Sequence, residues 1–160
     1  MNIFVLDKNP KIAAQMHSDK HVVKMVLESA QMLCCAHRIL DNREHELLYR
    51  KTHANHPCNI WVRSSHEAYD WLYDLFEALC EEFTFRRGKT HLCETKFGSS
   101  GLLPLKTRPL HIPHVPMPEF AQCMPDEYKV PGDAVAAYKN YYINEKAHLL
   151  QYDWGRPSWI

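Results

Sequence analysis

The sequence predicts a mainly α-helical fold, a compact domain of three long helices with a proline-rich irregular segment between helices 2 and 3. Long stretches repeat apolar residues at the helical period. Most of the ten prolines fall between residues 95 and 132, where they interrupt regular structure. A chain of 160 residues with 46% hydrophobic content is large enough to bury one core. We therefore expect a single domain over residues 1–160.

The first helix is predicted from about residue 10 to residue 40. "NIFVL" at residues 2–6 precedes it and is either a short strand or a buried lead-in. Asp7 to Pro10 then give a cap and a proline in the first turn, which is a typical helix start. The stretch that follows, residues 40–57, is polar, with a short helical piece expected around residues 43–50.

The second and third helices have equally clear boundaries in the sequence. Pro57 begins the second, Gly88 ends it, and apolar side chains recur between them at the helical period. Asp133 is a capping residue for the third helix, which is expected to cover "DAVAAYKNYYINEKAHLL". Between these helices, a long irregular segment in a compact domain favours a functional role.

Several classes of protein are disfavoured by composition. No apolar run reaches 18 residues, and the N-terminus lacks the features of a secretory signal. None of the six cysteines forms a CxxC pair, so we expect free thiols in a reduced, cytoplasmic protein without structural zinc. We also expect no cofactor, and no membrane partner because the apolar runs are too short to span a bilayer. The oligomeric state stays open.

The net charge bears on the choice of substrate. Lysine and arginine total 19, as do aspartate and glutamate, so the formal charge is zero. Proteins that grip duplex DNA usually carry a basic excess, because phosphate neutralisation supplies much of their affinity. A small phosphorylated ligand therefore suits this chain better than a duplex.

The first helix carries one narrow ionisable stripe on an otherwise apolar surface. On a helical wheel these polar residues share one face, with Lys20 at its edge: His17, His21, Lys24, Glu28 and Gln31. A surface helix would show a broad polar face instead. The narrow stripe favours a cleft with cationic and acid–base groups for a phosphate-bearing ligand. Two alternatives remain, the solvated edge of a half-buried helix and a metal site on His17 and His21 at i, i+4 spacing.

Further candidate binding residues lie outside this stripe. His56 precedes the second helix, whose free amides could receive an anion, and Arg63 lies about two turns further on. His56 is either part of that binding site or a capping or loop residue. Lys89 belongs to the basic cluster "RRGKTH", which either complements the helix dipole or binds phosphate. The tyrosines of the third helix, Tyr138, Tyr141 and Tyr142, are either core residues or a stacking face for a base.

The order of these motifs resembles a known family. "NIFVL" followed by "AAQMHSDKH", then "LCEEFTFRRG", "DEYKVPGDAVAAYKNYYINEKA" and "GRPSW", is similar to the pyrimidine-dimer DNA glycosylases of the phage endonuclease V type. Uncharacterised phage proteins that open "MNIFVLD" are similar as well. The resemblance covers nearly the whole chain and includes Tyr128 in its closing stretch.

The resemblance implies an all-α fold in which the N-terminus lies in a cleft beside the first helix. In that family the α-amino group attacks the sugar C1′ and releases the base through a Schiff base, assisted by a carboxylate. The amine would be that of Met1, or of Asn2 if Met1 is removed. His17 lies near the family's histidine, and Lys146 matches its basic residue on the last helix. The family's glutamate falls around Val23 or Lys24 here, so the nearest carboxylate is Glu28.

These observations together favour an enzyme that cleaves an N-glycosidic bond. The expected substrate is a small phage-defence signalling nucleotide such as a cyclic dinucleotide, or else damaged DNA. Glu28, His17 and His21 are the expected proton-transfer groups, and Lys24 is a possible second amine nucleophile. The alternatives are a non-catalytic protein that sequesters a nucleotide and a histidine-based metalloenzyme.

Overall fold

The computed structural model describes all 160 residues and contains six α-helices and no strand. In chain order these are α1 (Pro10–Met16), α2 (Asp19–Leu40), α3 (Pro57–Val62), α4 (His66–Arg87), α5 (Leu92–Phe97) and α6 (Ala134–Asn144). One short 3₁₀ helix, Asp126–Tyr128, precedes α6, and another, Ala147–Leu149, follows it. The mainly helical fold class is confirmed, although only α2 and α4, at 22 residues each, are long helices.

The first predicted helix is divided into α1 and α2 at His17 and Ser18. Ser18 caps α2 through its hydroxyl, which accepts a hydrogen bond from the His21 amide at 3.4 Å. The free carbonyl groups at the end of α1 accept hydrogen bonds from a side chain of α4. Arg86 donates to the His17 carbonyl at 2.7 Å and to the Gln15 carbonyl at 3.0 Å. A continuous helix over residues 10–40 was therefore the wrong prediction, since a distant guanidinium supplies the hydrogen bonds that helix continuation would have made.

The second predicted helix is divided in the same way, into α3 and α4. Ser65 caps α4 by accepting from the Ala68 amide at 3.1 Å, while the His66 amide donates to the Pro113 carbonyl in the proline-rich segment. The predicted end at Gly88 is confirmed, since this residue lies at φ 70°, a conformation that glycine adopts without strain.

Residues 43–50 form no helix, contrary to prediction. The Arg38 guanidinium donates to the carbonyls of His45, Leu48 and Tyr49, so these backbone groups are held by a side chain. The chain also contains a helix that the sequence reading missed, α5, which His91 caps.

The third predicted helix begins where expected and ends early. Asp133 caps α6 by accepting from the Ala136 amide at 3.0 Å. The helix ends at Asn144, and the Lys146 amide then bonds to the Tyr141 carbonyl five residues earlier. Lys146 therefore lies after the last helix, in the turn that leads to the second 3₁₀ helix.

The core is one cluster of 37 buried residues. Helices α1 and α2 both pack on α4. The "NIFVL" segment is extended but pairs with no strand, and Ile3, Phe4, Val5 and Leu6 are all buried at the centre. Of the two alternatives for this segment, the buried lead-in is correct. Its path carries the N-terminus directly to the side of α2. No helix is long and apolar enough to cross a membrane.

Candidate functional site

A cleft of about 480 Å³ lies where the N-terminal segment meets α2 and the end of α6. Eleven residues line the cleft, most of them from these three parts of the chain: Met1, Asn2, Phe4, Lys20, His21, Lys24, Met25, Glu28, Tyr141, Lys146 and Leu149. Its volume is within the range of pockets that hold small molecules. The ionisable stripe of α2 therefore faces a hollow inside the fold as well as solvent.

Glu28 is the carboxylate of this cleft, and an amine lies beside each of its oxygens. The α-amino nitrogen of Met1 is 3.7 Å from Oε2, and Lys24 Nζ is 3.5 Å from Oε1. The backbone amide of Asn2 also donates to Oε2, at 2.9 Å. Glu28 is buried, whereas the Lys24 side chain is 67% exposed, so the lysine reaches the carboxylate from the solvent side.

His21 forms one wall of the cleft and is fixed by two aromatic neighbours. Its ring stacks on Phe4 with 4.6 Å between the ring centroids, and its Nδ1 lies 2.6 Å from the Tyr142 hydroxyl. Burial, followed by the charges of His17, Lys146 and Lys24, lowers the pKa of His21 to about 3. The ring is therefore neutral at physiological pH when the cleft is empty, and the positive charge of the cleft comes from its lysines.

His17 does not join His21 on the cleft wall. It caps the end of α1, is fully buried, and its Nδ1 bonds to the Ala13 carbonyl at 2.7 Å. Burial lowers its pKa to about 4. The helical wheel placed both histidines on one face because it assumed an unbroken helix. The break at Ser18 moves His17 into the core.

The tyrosines of α6 divide between core and cleft. Tyr142 is fully buried, with its hydroxyl accepting from the Ser18 amide at 3.1 Å, which favours the core alternative for this residue. Tyr138 is buried as well. Tyr141 lines the cleft, and Tyr128 lies outside the lining, 5.8 Å from the Tyr141 ring between centroids. Tyr141 is thus the aromatic ring best placed for a base.

The cations expected to bind phosphate are also divided. Lys20 and Lys146 line the cleft with Lys24, and Lys146 Nζ lies 5.1 Å above the Tyr141 ring. Lys89 is exposed just after Gly88, and Arg63 lies at the end of α3; neither lines the cleft. Three lysines and one carboxylate therefore line the cleft, an excess of positive charge that favours an anionic ligand.

A polar layer lies directly beneath Asn2. The Asn2 Oδ1 accepts from the Tyr138 hydroxyl at 3.0 Å, and its Nδ2 donates to the Cys123 carbonyl at 2.9 Å. The thiols of Cys58 and Cys123 are 3.3 Å apart in the same layer. Of the two alternatives for His56, binding residue or cap, the structure shows the cap of α3, where its Nδ1 accepts from the Cys58 amide at 3.2 Å.

These thiols were missed by the sequence reading, because 65 positions separate the two cysteines. All six cysteines are free, as predicted. The group formed by His56, Cys58 and Cys123 is the one set of three or more potential metal ligands whose donor atoms lie close together. His17 and His21 do not belong to such a set, so no third ligand supports the alternative of a metal site on these two histidines.

A larger hollow, of about 800 Å³, lies elsewhere, between residues 7–8, Trp71 and the proline-rich segment. Its ionisable lining consists of Asp7, Glu119 and Asp133 with a single cation, Lys8. Three carboxylates disfavour a phosphorylated ligand. The smaller cleft is therefore the better candidate site, because its lysines suit a phosphorylated ligand and the carboxylates of the larger hollow do not.

Comparison of this chain with protein-family models, curated proteins and solved structures finds no match.

Proposed function

We propose that this protein is an enzyme that releases a base from a phosphorylated nucleotide by cleaving its N-glycosidic bond. The observation that carries the proposal is the placement of two amines, on Met1 and Lys24, beside the two oxygens of the buried Glu28 carboxylate. An amine next to a proton acceptor is the arrangement needed for amine attack on a sugar carbon. The resemblance in sequence to pyrimidine-dimer glycosylases implies the same chemistry.

The proposed reaction begins when Glu28 takes a proton from one of these amines. The freed nitrogen lone pair forms a bond to C1′ while the bond from C1′ to the base breaks, and the leaving base takes the proton that Glu28 carries. Opening of the sugar ring converts the adduct to an iminium ion. Water then hydrolyses the iminium and regenerates the amine, so the full cycle consumes one water and releases one free base.

The rest of the cleft supports a nucleotide as substrate. Lys20 and Lys146 provide positive charge for phosphate, and Tyr141 provides an aromatic face for a base. The cleft volume of about 480 Å³ and the zero net charge favour a small nucleotide over a DNA duplex. We therefore prefer a signalling nucleotide, such as a cyclic dinucleotide, over damaged DNA, and a reduced cytoplasmic setting for the enzyme.

The first experiment is incubation with cyclic dinucleotides and with duplexes that contain pyrimidine dimers, followed by chromatography for released base. Borohydride added during turnover should reduce the iminium to a stable adduct, and peptide mapping by mass spectrometry should locate it on the N-terminal residue or on Lys24. Recovery of intact nucleotide after denaturation would show a binding protein instead. Base release without any trapped adduct would refute the amine mechanism.

Glu28→Gln is the matched test of the carboxylate. The variant retains the size of the side chain and an acceptor for the Asn2 amide, but it cannot take up a proton at neutral pH. We expect base release to fall by at least about 100-fold, the usual contribution of a general acid–base group. Glu127→Gln, at an exposed position, is the control and should retain full activity. Equal rates for the two variants would exclude Glu28 from catalysis.

A further inference from the structure

The layer beneath Asn2 brings together three side chains with metal-binding chemistry. His56 and Cys58 lie at the start of α3, and Cys123 lies within the proline-rich segment. Their donor atoms all lie within 4.8 Å of one another, and the two sulfur atoms are 3.3 Å apart. Imidazole with two thiolates is a ligand set that selects zinc among the common cellular cations.

Capping alone does not account for this cluster, as a second site in the same chain shows. His91 caps α5 as His56 caps α3, with its Nδ1 accepting from the Cys93 amide at 3.0 Å. The Cys93 thiol, however, lies 3.3 Å from the Tyr49 hydroxyl and belongs to no set of three clustered ligand atoms. The approach of Cys123 to Cys58 is therefore a separate feature, additional to the histidine cap.

The geometry and the charge of the cluster both suit a zinc ion. Tetrahedral zinc has ligand bonds of about 2.0 to 2.3 Å, which place its donor atoms roughly 3.3 to 3.8 Å apart. The two sulfur atoms, 3.3 Å apart, would separate by about 0.5 Å, and the most distant pair of donor atoms, no more than 4.8 Å apart, would close by about 1 Å. Two thiolates would neutralise the ion, so the partly buried site would hold no net charge.

We propose that His56, Cys58 and Cys123 form a zinc site, with the fourth coordination position facing Asn2. Cys58 Sγ lies 3.4 Å from Asn2 Oδ1, so this amide oxygen or a water occupies the remaining position. Binding releases the two thiol protons to solvent, and the His56 ring exchanges its hydrogen bond from the Cys58 amide for the metal. His56 and Cys123 are partly exposed, which gives the ion a path of entry.

Zinc in this position would hold three separate parts of the chain together. It would link the start of α3 to residue 123, and it would lie against the side chain of the residue next to Met1. The proposal does not depend on base release, because zinc binding is measured directly and without substrate.

The test begins with the full chain, reduced and freed of metal with a chelator. Titration with Co²⁺ should produce the thiolate-to-cobalt absorption band and saturate at one ion per chain. Zn²⁺ should displace the cobalt, compete with a chromophoric chelator and raise the midpoint of thermal unfolding. No saturable binding, or binding without the thiolate band, would overturn the proposal.

Three variants locate the site. His56→Asn retains a capping side chain and removes the imidazole, and Cys123→Ser removes a partly exposed thiol; each should weaken Zn²⁺ binding by at least 100-fold. His91→Asn, at the matching cap, should bind as the parent does. Undiminished binding by Cys123→Ser would place the metal elsewhere. Loss of two thiols to oxidised glutathione, without any zinc binding, would show a redox pair and would also refute the proposal.

Discussion

Glu28 illustrates how one side chain acquires its setting from residues distant in sequence. The carboxylate lies on α2, but the Asn2 amide that donates to it is 26 positions earlier. Its other neighbour, Lys24, is one helical turn away and was visible on the helical wheel. By the resemblance alone, the glutamate of the pyrimidine-dimer glycosylases aligns with Val23 or Lys24, where this chain has no carboxylate. Glu28 lies about one turn later and nevertheless reaches the N-terminal amine.

The buried histidines make stability depend on pH. Burial lowers the pKa of His17 to about 4, whereas the ordinary value of 6.5 applies when the chain is unfolded. The unfolded state therefore binds more protons between these two values, and the free energy of unfolding decreases as pH falls from about 6.5 towards 4. We expect His17 alone to contribute a loss of about 3 kcal/mol over that interval.

Urea unfolding at pH 7.5 and at pH 5 measures this effect. In His17→Gln the decrease between the two pH values should be smaller than in the parent, because the group that takes up a proton on unfolding has been removed. His114→Gln, at an exposed position, should retain the parental pH dependence. An unchanged pH dependence in His17→Gln would contradict the assignment.

At the scale of elements, the junction between α1 and α2 depends on α4. Arg86 is buried and bridges to the carbonyls of Gln15 and His17 and to the Asp19 carboxylate at 3.0 Å. The sequence cluster that contains Arg86 was read as either structural or phosphate-binding. For Arg86 these contacts favour the structural role. The same junction sets the start of α2 and hence the direction in which Lys20, Lys24 and Glu28 face.

Arg86→Met should be strongly destabilising. The variant preserves much of the packing volume but leaves the Asp19 carboxylate, 6% exposed, without its cation. Breaking one partner of a buried pair costs about 3 to 5 kcal/mol. Arg87→Met is the matched control, since Arg87 makes only a 3.5 Å contact with the Asp19 carbonyl and is exposed. Similar urea midpoints for the two variants would refute the structural role of Arg86.

At the scale of the whole molecule, the balanced charge limits how a nucleic acid can bind. The 19 basic and 19 acidic residues give no overall attraction for a polyanion, and the cleft presents three lysines. Each neutralised phosphate contributes about −0.7 to −0.9 to the slope of log affinity against log salt concentration. The number of phosphates bound is therefore measurable from that slope.

We expect a slope no steeper than about −3 for a nucleotide bound in the cleft. Lys146→Gln should reduce the slope by about one, whereas Lys89→Gln, outside the cleft, should leave it unchanged. Binding isotherms at several salt concentrations provide the measurement. A much steeper slope with a duplex would favour DNA as the substrate and contradict the preference for a small nucleotide.

Local sequence patterns are sufficient to predict the helical class, the capping of α6 by Asp133, the end of α4 at Gly88 and the ionisable face of α2. These features arise from interactions between residues a few positions apart, which periodicity and capping chemistry report directly. The break at Ser18, the irregular residues 43–50 and the burial of His17 and Tyr142 were decided only by the tertiary structure. Each depends on partners far along the chain, such as Arg86 for the first helix. The meeting of Cys58 with Cys123 is of the same kind, because a local pattern carries no information about which distant segments come into contact.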